Sequence, residues 1–141
     1  MSYQKLTTVG DKSNNYLYFA FDGDFLDLNL VTSELNLNPT SVRIKKEPVP
    51  KSTSWKYQID AGEDINLELH LEKLIDIFEK KVLEINQIKA KLNLKTRLQF
   101  VITIDVSLNA SLPFFGLNER TIDFLGKTGT EVDFDLYKTI K

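Results

Sequence analysis

The chain has no cysteine and a single histidine, His70. The first absence excludes disulfides, thiolate zinc sites, iron–sulfur clusters and cysteine nucleophiles. The second excludes two-histidine zinc motifs and nearly every imidazole-rich metal site. No apolar run approaches the roughly 20 residues that a membrane span needs. The opening MSYQKLTTVGDKSNN is polar and lacks the apolar centre of a secretory signal. Neither sign of charge prevails: 18 Lys+Arg stand against 20 Asp+Glu, a net charge of −2. That balance gives no general attraction to phosphate backbones or anionic lipid. The expectation is a cytoplasmic protein with no nucleic-acid or membrane partner, no metal and no cofactor. Glycine and proline are missing from Glu63 to Leu112, so neither of the two strongest local breakers punctuates that stretch.

What remains is an ordinary globular composition, 42% apolar and 27% charged over 141 residues. That suits one domain with its own core. Residues 1–15 read as a flexible polar arm and 16–141 as a single α+β domain. YLYFAFDG alternates at strand period, with Leu17, Phe19 and Phe21 on one side and Tyr16, Tyr18, Ala20 and Asp22 on the other. Asp27 is placed to cap a short helix carrying Leu28, Val31 and Leu35, which Asn36 and then Pro39 end. SVRIKK and SWKYQID are strand-like runs joined by the proline-bearing EPVPKST. Leu67, Leu71, Leu74, Phe78, Val82, Ile85, Ile88 and Leu92 advance by threes and fours, predicting a helical stretch of about 40 Å that either overhangs the sheet or bends and that Asn93 stops. Leu98, Phe100, Ile102, Ile104 and Val106 form one apolar side of a central strand. Asn118 caps a last helix ended by Gly126 and Gly129, and TEVDFDLYK closes the chain as a strand.

The predicted order is β-α-β-β-α-β-α-β, a mixed or antiparallel sheet with helices on one face. Its first six elements match a ferredoxin-like core that a last helix and strand extend. Several landmarks in this order resemble one uncharacterised, mostly bacterial family, domain of unknown function 4279. They are YFAFDGDF, the helix ending LNLNPT, the basic residues before the lone tryptophan of SWKYQID, the long helix and the closing DFDLY. The chain carries Asn36 and the Lys46-Glu47 pair of KKEP where the family pattern has glycine and Gly-Glu. The resemblance spans about Tyr16 to Lys138; it implies a small α+β domain and no established activity.

Four constellations bear on function. Arg43, Lys45 and Lys46 precede Trp55 across a loop, so a hairpin would gather interface-anchoring residue types at one place and offer a site for an anionic partner or small ligand. The plainer reading is an edge hairpin with a packed tryptophan. Asp133 and Asp135 share a strand face which, if helices cover the other side, also gathers Tyr16, Tyr18, Lys56, Gln58, Thr103, Asp105 and Tyr137. Such a face suits a protein, a peptide or a small polar ligand. A carboxylate-based hydrolase using Asp105, Asp133 and Asp135 needs two of these groups to converge in a cleft, whereas polar alternation on a half-buried strand needs nothing more. Asp22, Asp24 and Asp27 lack the ligand series of a calcium loop. His70 lies at the margin of the helical stripe with no nucleophile-elbow motif anywhere to serve. Leu69 and Leu83 lie off that stripe and hint at a homodimer contact. The reading that best fits is a non-catalytic interaction domain binding a protein partner through its open sheet face or hairpin edge, in the manner of an immunity-type protein that blocks a toxin.

Overall fold

The computed structural model describes residues 14–107, 110–113 and 115–140. The expected arm lies outside the described residues as far as residue 13. Asn15, assigned to that arm by its polarity, is instead the fully buried first residue of a strand. Its Oδ1 accepts the Thr103 N–H at 2.8 Å and its Nδ2 donates to the Asp64 carbonyl at 2.9 Å. Both ends of a polar side chain are thereby satisfied, which is what makes its burial tolerable.

The elements run β1 (Asn15–Gly23), α1 (Leu28–Leu35), β2 (Ser41–Arg43), β3 (Thr53–Gly62), α2 (Glu68–Phe78), α3 (Val82–Leu92), β4 (Lys95–Asp105), α4 (Glu119–Thr128) and β5 (Glu131–Thr139). The strands form one mixed sheet in the order β2-β3-β1-β4-β5. β1 pairs antiparallel with both β3 and β4, and β2 pairs antiparallel with β3. β4 and β5 are parallel, joined by the crossover through α4 that such a pair requires. The α+β class and the mixed sheet are as expected.

Of the two alternatives for the long helical stretch, overhang or bend, the structure has the second, as a full interruption. A 3-10 turn over Glu79–Lys81 separates α2 from α3. Lys81 leaves helical geometry at φ −116°, ψ 18°, and its Nζ donates to the Leu35 carbonyl at 2.7 Å, capping the end of α1. An unbroken helix would run past strands of nine to eleven residues. The break instead brings α3 against α1 and α4. From α3, Lys89 reaches back to the carbonyls of Thr128 (2.6 Å) and Gly129 (3.1 Å) and caps α4 in the same way.

Asp27 accepts the Leu30 N–H, Asn118 accepts the Thr121 N–H, and Asn36 and Asn93 take left-handed conformations at the ends of α1 and α3. Gly129, at φ 60°, ends α4, while Gly126 lies inside that helix.

Leu17, Phe19, Phe21, Trp55, Leu98, Phe100 and Ile102 pack with Val31, Leu35, Leu71, Leu74, Phe78, Ile85, Ile88 and Phe124 in one core on the helical side of the sheet. Phe19 sits at its centre, 4.6 Å centroid to centroid from Phe78 and 5.8 Å from Phe124. Trp55 is completely buried, edge-on to Phe21 at 5.7 Å, and its indole N–H donates to Thr32 Oγ1 at 3.0 Å. Truncating Trp55 to alanine removes that packing and is expected to destabilise the fold by about 3–5 kcal/mol. Thr32→Val leaves the indole N–H unpaired and is expected to cost about 1–3 kcal/mol. Urea unfolding followed by circular dichroism measures both.

Candidate functional site

The registers around β1 determine which side chains share the side of the sheet away from the helices. Asp22 lies beside Ser54 and Lys95, Ala20 beside Lys56 and Arg97, Tyr18 beside Gln58 and Gln99, and Tyr16 beside Asp60 and Val101. β5 continues the rows with Glu131, Asp133, Asp135 and Tyr137, and β2 adds Ser41 and Arg43. Thr103 and Asp105 extend the series along β4. The expected set is therefore together on one face. Among the described residues, no helix or strand lies across it.

Two chemically different halves make up this surface. Toward the Asp22 end stand Arg43, Lys56, Lys95 and Arg97, with Asp22 and Glu131 the only opposing carboxylates on those rows. Toward the Tyr16 end stand Asp60, Asp133 and Asp135. Between them, Ala20 and Val101 form a small apolar floor with Tyr18, flanked by Tyr16 and Tyr137. The rings of Tyr16 and Tyr18 stack at 6.3 Å.

Arg97 organises the basic half. Its Nε and Nη2 donate to the two oxygens of Asp22 at 3.1 and 3.3 Å, and its Nη1 donates to the Tyr18 hydroxyl at 3.1 Å and to Gln99 Oε1 at 2.6 Å. A fork-shaped cation is suited to bridging a carboxylate and two neutral acceptors at once. Asp22 also accepts from the Ser54 hydroxyl, which in turn accepts from Arg43 Nη2 at 3.1 Å. Arg43 is further held by Ser52 through its carbonyl and hydroxyl. One continuous chain of hydrogen bonds thus ties β2 to β3, β1 and β4.

The Lys56 ammonium lies 4.6 Å from the centre of the Tyr18 ring, with the Arg97 guanidinium on the same ring at 5.4 Å. Burial, then the charges of Arg43 and Arg97, hold Lys56 below the ordinary lysine range although Asp22 acts the other way. Burial likewise pushes the Tyr16 and Tyr18 phenols up. Gln99 is almost wholly buried, and its Nε2 has no hydrogen-bond partner among the described residues.

The other expected residues fall elsewhere. Trp55 points into the core on the opposite side from Arg43, so the tryptophan and the basic cluster do not form a joint site. Adjacent positions on paired strands point to opposite faces, and Trp55 is one position from Ser54, the partner of Arg43. Lys45 pairs with Asp24 at 3.4 Å and bonds Thr53 through its backbone, while the Lys46 N–H bonds the Pro50 carbonyl inside the hairpin loop. Asp133 and Asp135 stand exposed on an edge strand, and Asp105 accepts from the backbone and hydroxyl of Ser107 in a turn. Asp133 and Asp135 lie beside Gln99 and Val101, whereas Asp105 lies beside Thr139, so the three carboxylates are spread along the two strands. His70 sets its Nε2 3.1 Å from Asp64, and its buried Nδ1 has no partner among the described residues. The backbone N–H of Asn66, and then the bond with His70, hold Asp64 below the usual carboxylate range. Phe134, on the helical side of β5, is 41% exposed because β5 is the outermost strand.

Removing Arg97 alone strands Asp22 in a partly covered setting, so Arg97→Met is expected to cost about 2–3 kcal/mol. Asp22→Asn combined with Arg97→Met is expected to be less destabilising than the sum of the two single changes, in a double-mutant cycle read by urea unfolding. Lys56 supplies a pH signature. Its folded pKa is lowered, so at alkaline pH below its unfolded value of about 10.4 the unfolded chain binds more protons and stability rises with pH. Lys56→Met is expected to flatten that rise in unfolding midpoints taken from pH 8 upward.

No curated protein and no solved structure matches the chain. A family model does, over residues 13–139, which is nearly all of it and spans every strand and helix that builds the two-halved face. The chain belongs to the family described as Domain of unknown function (DUF4279).

Proposed function

We propose that this chain is a non-catalytic interaction domain whose uncovered sheet face receives a protein partner. The observation that carries the reading is the composition of that face, across which no described helix or strand lies. Tyrosines frame a small apolar floor, with a basic network on one side and carboxylates on the other. Tyrosine and arginine are the residue types that anchor interfaces, and opposed charges at the two ends would set a partner's orientation. An uncovered sheet surface offers a macromolecule contact area and gives a small substrate little enclosure. The order β2-β3-β1-β4, each pair antiparallel, supports a ferredoxin-like reading of the first four strands, with α4 and β5 added at the β4 edge.

A second reading, a site for a small anion, is favoured by one feature. Gln99 Nε2 has no partner among the described residues, its Oε1 accepts from Arg97, and Arg97 shares the Tyr18 ring with the Lys56 ammonium. That site would use Lys56, Arg97 and Gln99, without Trp55.

Affinity capture from the source cells tests the favoured reading when variants are compared quantitatively. Tyr16→Ala with Tyr137→Ala, and separately Lys56→Glu, are expected to reduce partner recovery at least about tenfold. Leu83→Ser, on the exposed outer side of α3, is expected to leave recovery unchanged. Equal recovery with every variant, or loss with Leu83→Ser alone, would overturn it.

A further inference from the structure

The outer edge of β5 carries a pairing pattern that the open-face reading does not use. Val106 N–H donates to the Thr139 carbonyl at 2.8 Å, so Thr139 turns its backbone groups toward β4. Backbone groups alternate in direction along a strand; Asp133, Asp135 and Tyr137 therefore also bond inward, while Val132, Phe134, Leu136 and Lys138 turn theirs outward, the Phe134 N–H donating to Oδ1 of the neighbouring Asp133 at 3.0 Å, a bond that pairing would replace. β5 is nine residues long, contains no proline, and ends the sheet. On its helical side it leaves Phe134 41% and Leu136 51% exposed, with Ile140 beyond it 79% exposed. A long edge without proline is a template for another strand, and the charges on this one, Asp133, Asp135 and Lys138, restrict which strand can pair with it and in which register.

The charges choose the occupant. A second copy of the chain related by a two-fold axis normal to the sheet would lay its β5 antiparallel to the first, with directly opposed residues on the same face. An axis through Asp135 sets that carboxylate against itself, and an axis through Phe134 sets Asp133 against Asp135 twice. An axis through Leu136 avoids both. It opposes Asp135 to Tyr137, Asp133 to Thr139, Phe134 to Lys138 and Leu136 to its own copy. It also makes the Leu136 pair a hydrogen-bonded one, using the backbone groups that point outward. On the helical side, Phe134, Leu136 and their symmetry mates then form one apolar strip, Phe134 lying diagonal to the facing Leu136. Moving the axis on to Tyr137 also separates the carboxylates, but shortens the paired segment.

We propose that the chain forms a homodimer by antiparallel β5–β5 pairing about Leu136, making one continuous sheet across two copies. The absence of cysteine gives a direct test. The Cα atoms of a hydrogen-bonded antiparallel pair lie about 5.5 Å apart, within disulfide reach. Leu136→Cys is expected to form a disulfide-linked dimer in air-oxidised protein, and Asp133→Cys, opposed to Thr139, is expected to remain uncrosslinked. In sedimentation equilibrium the unmodified chain is expected to dimerise reversibly. Leu136→Asp sets two carboxylates in contact and is expected to weaken association at least about tenfold. Circular dichroism and the buried Trp55 emission establish that this variant folds. A chain that sediments as a monomer at every concentration overturns the proposal. Equal crosslinking of both cysteine variants overturns the register.

Discussion

The register of β1 is the constraint on which the molecule turns. This strand is central, with β3 on one side and β4 on the other, and both of its faces are used. Leu17, Phe19 and Phe21 are completely buried beneath the helices, while Tyr18, Ala20 and Asp22 meet Gln99, Lys56, Arg97 and Ser54 on the other side. A slip of one residue would drive Asp22 into the core and carry Phe19 and Phe21 to the polar side. Every lateral neighbour follows from this choice, including the position of Trp55 under α1 and the meeting of Arg97 with Asp22.

The polar side is more than a solvated back. Arg97, Asp22 and Ser54, side chains partly or wholly withdrawn from water, and the exposed Arg43 link four strands. An ion pair in such a setting adds little net stability against an apolar replacement, yet its removal by halves is costly because one charge is left unmatched. Its effect is therefore on specificity: the bonds of Arg97 to Asp22, Tyr18 and Gln99 are made in one register of β1 against β4. The same cross-strand bonding holds the Tyr18 hydroxyl and the two guanidinia in a surface pattern, with Lys56 over the Tyr18 ring, so that holding the sheet together and presenting a polarised face are one arrangement.

Local signals in the sequence were sufficient wherever the cause is local. Alternation in YLYFAFDG assigned both faces of β1, and Asp27, Asn36, Asn93 and Asn118 marked helix ends because each acts on backbone groups within a few residues. The open face was legible for the same reason, since period-two alternation places Tyr16, Lys56 and Asp135 without knowledge of their partners. What depends on partners was not legible. Trp55 and Arg43 are close along the chain, but their faces depend on the pairing of a three-residue strand with β3. Arg97 carries no local signal, because its partner Asp22 lies 75 residues away and only strand pairing brings the two together. The break at Glu79–Lys81 has no glycine or proline to announce it; its cause is the distant Leu35 carbonyl and the reach of the sheet beneath. Asn15 read as arm because an asparagine satisfied at both ends looks, in sequence, like one in water.

The face and the edge bear on one another. A two-fold axis normal to the sheet keeps both copies' helices on one side and both polar faces on the other. Pairing at β5 would thus bring the acidic halves, with Asp133 and Asp135, to the middle of the extended surface, and leave the basic networks of Arg43, Lys56 and Arg97 toward its two outer ends. A partner meeting one such end would encounter chiefly positive charge, and a partner spanning the centre would meet carboxylates and tyrosines from both copies. Charge opposition across β5 and charge separation along each face come from the same alternation: Asp133 and Asp135 occupy the positions whose side chains face away from the helices, and those positions decide both where a second copy can sit and what its partner would find there.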